Sequence, residues 1–118
     1  MENKIQEYLY KVRVLNYVDA DTIDVLLDLG LHISVSERLR LNRINAWESR
    51  GKTRDKGKAA TEALKKFIAD RPIIVETIRD TKGKYGRYLA EIWVDNGGVM
   101  INVNDWLVEQ GHGIYQKY

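Results

Sequence analysis

Apolar and polar residues alternate from Tyr8 to Val14, with Tyr8, Tyr10, Val12 and Val14 on one parity, and again from Thr22 to Leu29, with Ile23, Val25, Leu27 and Leu29 together. A two-residue period of this kind predicts half-buried β-strands. Gly30 marks a turn. The stretch from about His32 to Ile44 then puts Ile33, Val35, Leu39 and Leu41 on one face and Ser34, Arg38 and Arg40 on the other, so Arg40 is expected to point away from the core-facing leucines. Beyond a polar loop the period changes: Ala60, Ala63, Leu64, Phe67 and Ile68 recur at helical spacing. Asp70-Arg71-Pro72, holding the only proline, stops that helix. Ile73 to Arg79 and Tyr88 to Val94 read as two further strands, joined by a segment whose Gly83 and Gly86 suit a tight connection. A last helix is expected to turn Ile101, Val103, Trp106 and Leu107 inward, with Asn102 as N-cap and Gly111 as its stop.

Three strands, a helix, two strands and a helix form the order of an OB-fold, a five-stranded Greek-key barrel with one helix between strands three and four and another at the C-terminus. With 118 residues, 44% of them hydrophobic, the expectation is a single domain over 1–118, mainly β with helices, as a monomer. Cysteine is absent, which excludes disulfides, thiolate metal sites and a cysteine nucleophile. The N-terminal residues carry neither the basic region nor the apolar run of a secretory signal, and no stretch reaches membrane-spanning length. A cytoplasmic or intracellular location without membrane partners is expected.

Net charge is only +2, and its distribution says more. From Arg38 to Lys58 eight basic residues (Arg38, Arg40, Arg43, Arg50, Lys52, Arg54, Lys56, Lys58) face two acidic ones, Glu48 and Asp55, a local excess of six. A solvated face is the ordinary explanation of such a run; converging chemistry would make it a binding surface.

Three segments offer that chemistry. Asp19-Ala20-Asp21-Thr22 sits where the first hairpin turns, presenting carboxylates that suit a hard cation. In Arg40-Leu-Asn-Arg-Ile-Asn-Ala-Trp-Glu48 a strand arginine precedes a carboxylate that a short loop would turn back towards it, either as an exposed ion pair or as a reactive couple. Lys84-Tyr85-Gly86-Arg87-Tyr88 sets cations and aromatics beside a turn, suited to phosphate contact and base stacking or to a solvated hairpin entry.

Together with the closing Asn102-Val-Asn-Asp-Trp-Leu-Val-Glu-Gln-Gly111, these segments resemble, in order and spacing, the staphylococcal nuclease (thermonuclease) family from about Lys11 to Tyr115. The resemblance implies a calcium-dependent nuclease acting on DNA and/or RNA, with Arg40 and Arg87 on the phosphate and Glu48 near the attacking water. By the same resemblance Asp21, Asn45 and the Ala46 carbonyl hold the Ca2+. Lys84 and Tyr85 would contact phosphate, and Tyr115 and Tyr118 would stack on bases. The pattern departs at Asn45, which stands where the family has an aspartate and brings no charge, so weaker calcium binding or a shifted metal preference is expected. Ala20, Trp47 and Gly83 replace a glycine, a proline and an aspartate.

Two other readings compete. Ala46 to Thr53 fits a relaxed phosphate-binding loop, although Trp47 and Arg50 are bulky for a backbone cradle. A non-catalytic OB-fold module binding nucleic acid is the stronger rival, set against the joint presence of Arg40, Glu48 and Arg87. His32 and His112 are too few for a zinc site, and Trp93 and Trp106 are assigned to the core.

Overall fold

The computed structural model describes residues 8–79 and 88–116. The first two apolar alternations become β1 (Leu9–Asp19) and β2 (Thr22–Asp28), followed by β3 (Ser34–Leu41). After β4 (Ile44–Ala46) and a 3-10 turn (Gly51–Thr53) come helix α1 (Arg54–Ile68), then β5 (Ile73–Arg79) and β6 (Tyr88–Asn96). β7 (Val99–Asn102), helix α2 (Val103–Glu109) and β8 (Gly113–Tyr115) complete the described chain.

β3, β2, β1, β5 and β6 lie side by side in that order, and parallel pairing of β3 with β6 closes them into a five-stranded barrel. This is the expected OB-type order: the fourth barrel strand returns beside the first, and the fifth shuts the barrel against the third. The alternating residues fill it. Ile23, Val25, Leu39, Leu41, Val75 and Val94 are fully buried, and α1 adds Ala60, Leu64 and Ile68 across one end.

The structure corrects the sequence reading at several elements. The third strand does not run on to Ile44; it breaks at Asn42 and Arg43, where Arg43 takes a left-handed φ of 68°, and resumes as β4 against β8. Short β4, β7 and β8 carried too few residues to show a period. Ile101 lies in β7 rather than in the last helix, whereas Asn102 does cap α2, its side chain accepting from the Asp105 N–H at 2.9 Å. Ile33 and Val35 are exposed, so only the Leu39–Leu41 half of β3 faces the core. Trp106 packs on the core, its ring stacked on Phe67 at 4.0 Å. Trp93 instead lies half-buried in an outer groove with Leu9 and Met100.

The barrel closure is held by polar groups. Asn104, fully buried, accepts from the Ile92 N–H and donates to the carbonyls of Ala90 and Asn42. Beside it Glu91, 8% exposed, receives both nitrogens of the Arg43 fork at 2.8 Å and the amides of Asn42 and Asn102. Arg43 also reaches Asp105 at 2.9 Å. These partners keep the Arg43 guanidinium charged well beyond its ordinary range, and Arg43 holds the Asp105 carboxyl below the usual carboxylate range. Asn104→Ala would leave the Ile92 N–H and the Asn42 carbonyl without this partner and would take one of two donors from the Ala90 carbonyl, which the Asn42 N–H also reaches. It is expected to lower unfolding free energy by about 3–5 kcal/mol in urea titration, since each buried group left unpaired costs roughly 1–3 kcal/mol.

Candidate active site

Barrel register brings Arg40 to the Asp19–Thr22 turn. Arg40 is paired with Thr22 of β2 on one side and Leu89 of β6 on the other. The next residue, Leu41, donates its N–H to the Asp21 carbonyl at 2.8 Å. Arg40 does leave the barrel on the parity opposite Leu39, as expected, but its side chain is only 12% exposed. Nη1 donates to the carbonyls of Leu41 and Ile44, each at 3.0 Å, and lies 3.4 Å from Asp21 Oδ2; Nη2 donates to Asn45 Oδ1 at 3.1 Å. Two carbonyls on one nitrogen fix the plane of the guanidinium.

Asp21 is itself held. Its Oδ2 accepts from the Ala46 N–H at 2.8 Å and its Oδ1 from the Thr22 hydroxyl at 3.0 Å. In the β4–β8 pair, Trp47 N–H donates to His112 O and Gln116 N–H to Arg43 O, so odd-numbered residues of this segment bond across to β8. Ala46 must then turn its backbone groups the other way, towards Asp21. The residues expected to hold calcium, Asp21, Asn45 and Ala46, are thus gathered around Arg40. All three offer oxygen, the donor that a hard cation takes.

The set fits such a cation weakly. Among its side chains only Asp21 is charged, and among the described residues no three or more acidic, histidine or cysteine side chains converge. Arg40 already engages the Asp21 and Asn45 oxygens. Calcium takes six to eight oxygens, so water would have to complete its shell.

Glu48 is exposed on the loop after β4, and the backbone beneath it is fixed from several directions. The Asp19 carboxylate accepts from the Ser49 N–H at 3.2 Å, folding the loop back onto the turn that carries Asp21. Thr53 Oγ1 donates to the Glu48 carbonyl at 2.9 Å. Trp47 braces the other side, its indole N–H on the Gly111 carbonyl at 3.0 Å and Lys56 Nζ 5.1 Å from the ring centroid. α1 reaches this loop through Gly57, where an added Cβ would lie 2.1 Å from the Glu48 carbonyl oxygen.

Tyr115 stands on β8 opposite Ile44, next to the Asn45 pairing, and is 55% exposed. Its hydroxyl donates to Asp105 Oδ1 at 2.9 Å, which raises the phenol above its ordinary range by favouring the protonated form. Arg87, Lys84, Tyr85 and Tyr118 lie outside the described residues. The basic run divides: Arg38 pairs with Asp24, Arg43 with Glu91 and Arg40 with Asp21, while Arg50, Lys52, Arg54, Lys56 and Lys58 are exposed along the Glu48 loop and the first turns of α1.

Sequence reasoning passed over Asp19 as a loop anchor, Trp47 as a brace and Gly57 as a contact. Gly57 carries no local signal, since a glycine inside a helix shows its purpose only when the opposing backbone is seen. The loop also disposes of the phosphate-cradle reading, because β4 leads into a 3-10 turn from an antiparallel pairing with β8, not from a parallel sheet. Gly57→Ala is expected to displace the Glu48 loop and to destabilise the fold by about 1–3 kcal/mol. Thermal denaturation checks the stability, and a Glu48 loop with unchanged amide chemical shifts would contradict the displacement.

No curated protein matches the chain significantly. A family model, described as staphylococcal nuclease homologue, matches residues 38–118. That range takes in Arg40, Asn45 and Glu48 but begins after Asp21, which the fold nevertheless delivers to the same place. With more than half its length matched, and on the barrel that the family resemblance implies, the chain belongs to the staphylococcal nuclease homologue family.

Proposed function

We propose that the protein is a calcium-dependent nuclease that hydrolyses phosphodiester bonds of DNA and/or RNA by in-line attack of an activated water. The observation that carries this reading is the meeting of Arg40, Asp21, Asn45 and Ala46, brought from two strands and the β1–β2 turn to one point beside the Glu48 loop.

In-line attack gathers negative charge on the equatorial oxygens of a five-coordinate phosphorus. Arg40, its plane set by two carbonyls, offers a cation there whose orientation is already fixed, and Arg87 is assigned the matching role. Glu48, exposed on a braced backbone, accepts the proton of the attacking water or orients it. Asp21, with the Asn45 amide oxygen and the Ala46 carbonyl, would hold the metal, which when bound supplies polarisation of a phosphoryl oxygen. No covalent intermediate is required.

Substrate contact extends from this point. Lys84 and Tyr85 are assigned to phosphate and Tyr115 and Tyr118 to bases. The exposed cations Arg50, Lys52, Arg54, Lys56 and Lys58 give the strand a positive border. Asp21 and Arg40 neutralise one another, so the pocket has little attraction for a lone cation. A phosphate anion engaging Arg40 frees the Asp21 and Asn45 oxygens, and cation and substrate therefore bind more tightly together than apart.

The purified protein is expected to degrade denatured DNA in calcium of about millimolar concentration, given the low charge of the donor set. Chelator should stop it, and Glu48→Gln should reduce kcat by about 10²–10⁴-fold, the range of a lost general base. Nucleic-acid binding without cleavage in calcium, magnesium and manganese would remove the enzyme reading and leave a binding module. Asn45→Asp restores a charge among the donors and is expected to tighten calcium binding about tenfold by calorimetry, even without substrate.

A further inference from the structure

On the face of β3 opposite Arg40, between Val35 and Leu39, the barrel opens into a cavity of about 390 Å³. Its floor is Leu27 and Leu39, which are 4% and 0% exposed, and its wall carries the three tyrosines Tyr8, Tyr10 and Tyr88. Glu37 stands among them. On β3 it shares the inward parity of Val35 and Leu39, a carboxylate interrupting an otherwise apolar stripe. Among the described residues no side chain hydrogen-bonds or ion-pairs with Glu37. None of the lining residues is one assigned to the phosphodiester site, although Leu39 and Tyr88 adjoin Arg40 and Arg87 in the chain.

Its chemistry narrows the occupant. Among the described residues that line it none is basic, and the charge they present is that of Glu37, which disfavours an anion. A purely apolar molecule would cover that carboxylate without pairing it, which is costly. A cation with an apolar shell satisfies all the walls at once: it pairs with Glu37, packs on the leucines and lies against phenol rings, whose faces attract positive charge. An ordinary ammonium keeps a tight hydration shell that such walls cannot replace. Methyl groups remove that shell and spread the charge.

We propose that the barrel mouth is a binding site for a methylated ammonium group, held by Glu37, Tyr8, Tyr10 and Tyr88. It is independent of the nuclease reading and stands or falls separately.

Choline and its uncharged isostere 3,3-dimethylbutan-1-ol are the probes, titrated into the full chain with the shifts of the tyrosine ring signals followed by NMR. Choline should shift Tyr8, Tyr10 and Tyr88 saturably, and the neutral isostere should bind at least several-fold more weakly. Glu37→Gln, at an exposed position that the fold does not use, should retain the wild-type melting temperature and weaken choline about tenfold, as expected for losing one close charge pair. Tyr10→Leu, which keeps the wall apolar, should also weaken choline but leave the isostere unchanged. Absence of saturable choline shifts, equal binding of the two probes, or unchanged choline affinity in Glu37→Gln would each overturn the proposal.

Discussion

The buried amide of Asn104 is the interaction on which the arrangement rests. A barrel closed by a short parallel pairing of β3 with β6 has few ladder bonds at its seam, and the chain leaves β3 there through a turn containing Arg43 in a left-handed conformation. Asn104 spans that seam from below, bonding to Ala90 and Ile92 of β6 and to Asn42 of the turn. Glu91 does the same from the side through Asn42, Arg43 and Asn102. Polar groups at so buried a seam are tolerated because every described partner is satisfied, and a fully satisfied network permits one geometry where an apolar filling would permit several.

That single geometry is what the candidate site needs. Arg40 lies two residues before Asn42, Asn45 three residues after it, and β4 reaches β8 only because the turn sends it there. The same clamp touches the site from its far side: Asp105, which Arg43 holds, also receives the Tyr115 hydroxyl. Thus the guanidinium plane, the Asn45 amide and the Tyr115 ring are referred to one rigid group. Glu48 is referred to another, comprising Asp19, Thr53, Gly57 and the Trp47 brace. The two groups meet through Asp21, whose carboxylate holds Ala46 and whose backbone carbonyl holds Leu41.

Much of this was legible in the sequence, for identifiable reasons. Barrel strands and α1 have enough residues to show their periods, and Asn102 announced α2 because a cap acts within three residues of itself. The co-location of Asp21, Arg40 and Asn45 could be expected only from the motif order, since no local rule links residues on separate strands. What stayed hidden was set by long-range contact. Three-residue β4 and β8 have no period to read; Gly57 answers a carbonyl nine positions away; Glu37 looks like an ordinary surface acid until the barrel closes around its parity. Trp93 misled because bulk and apolarity suit an outer groove as well as a core.

The same contrast explains how the site tolerates Asn45. An aspartate there would put a second carboxylate beside Asp21, and Arg40 alone would have to offset both whenever no cation was present. With an amide, one carboxylate faces one guanidinium at 3.4 Å and the neutral oxygen of Asn45 takes a further donor of the fork. Among the described residues the Asp21 carboxylate is thus offset by the Arg40 guanidinium and bonded by the Ala46 N–H and the Thr22 hydroxyl. On the calcium reading proposed above, the cost would fall on cation affinity, because the Asp21 and Asn45 oxygens that would serve the ion already engage Arg40. On that reading the two carbonyls set the plane of Arg40, while its hydrogen bond to Asn45 draws on an oxygen that the cation would need.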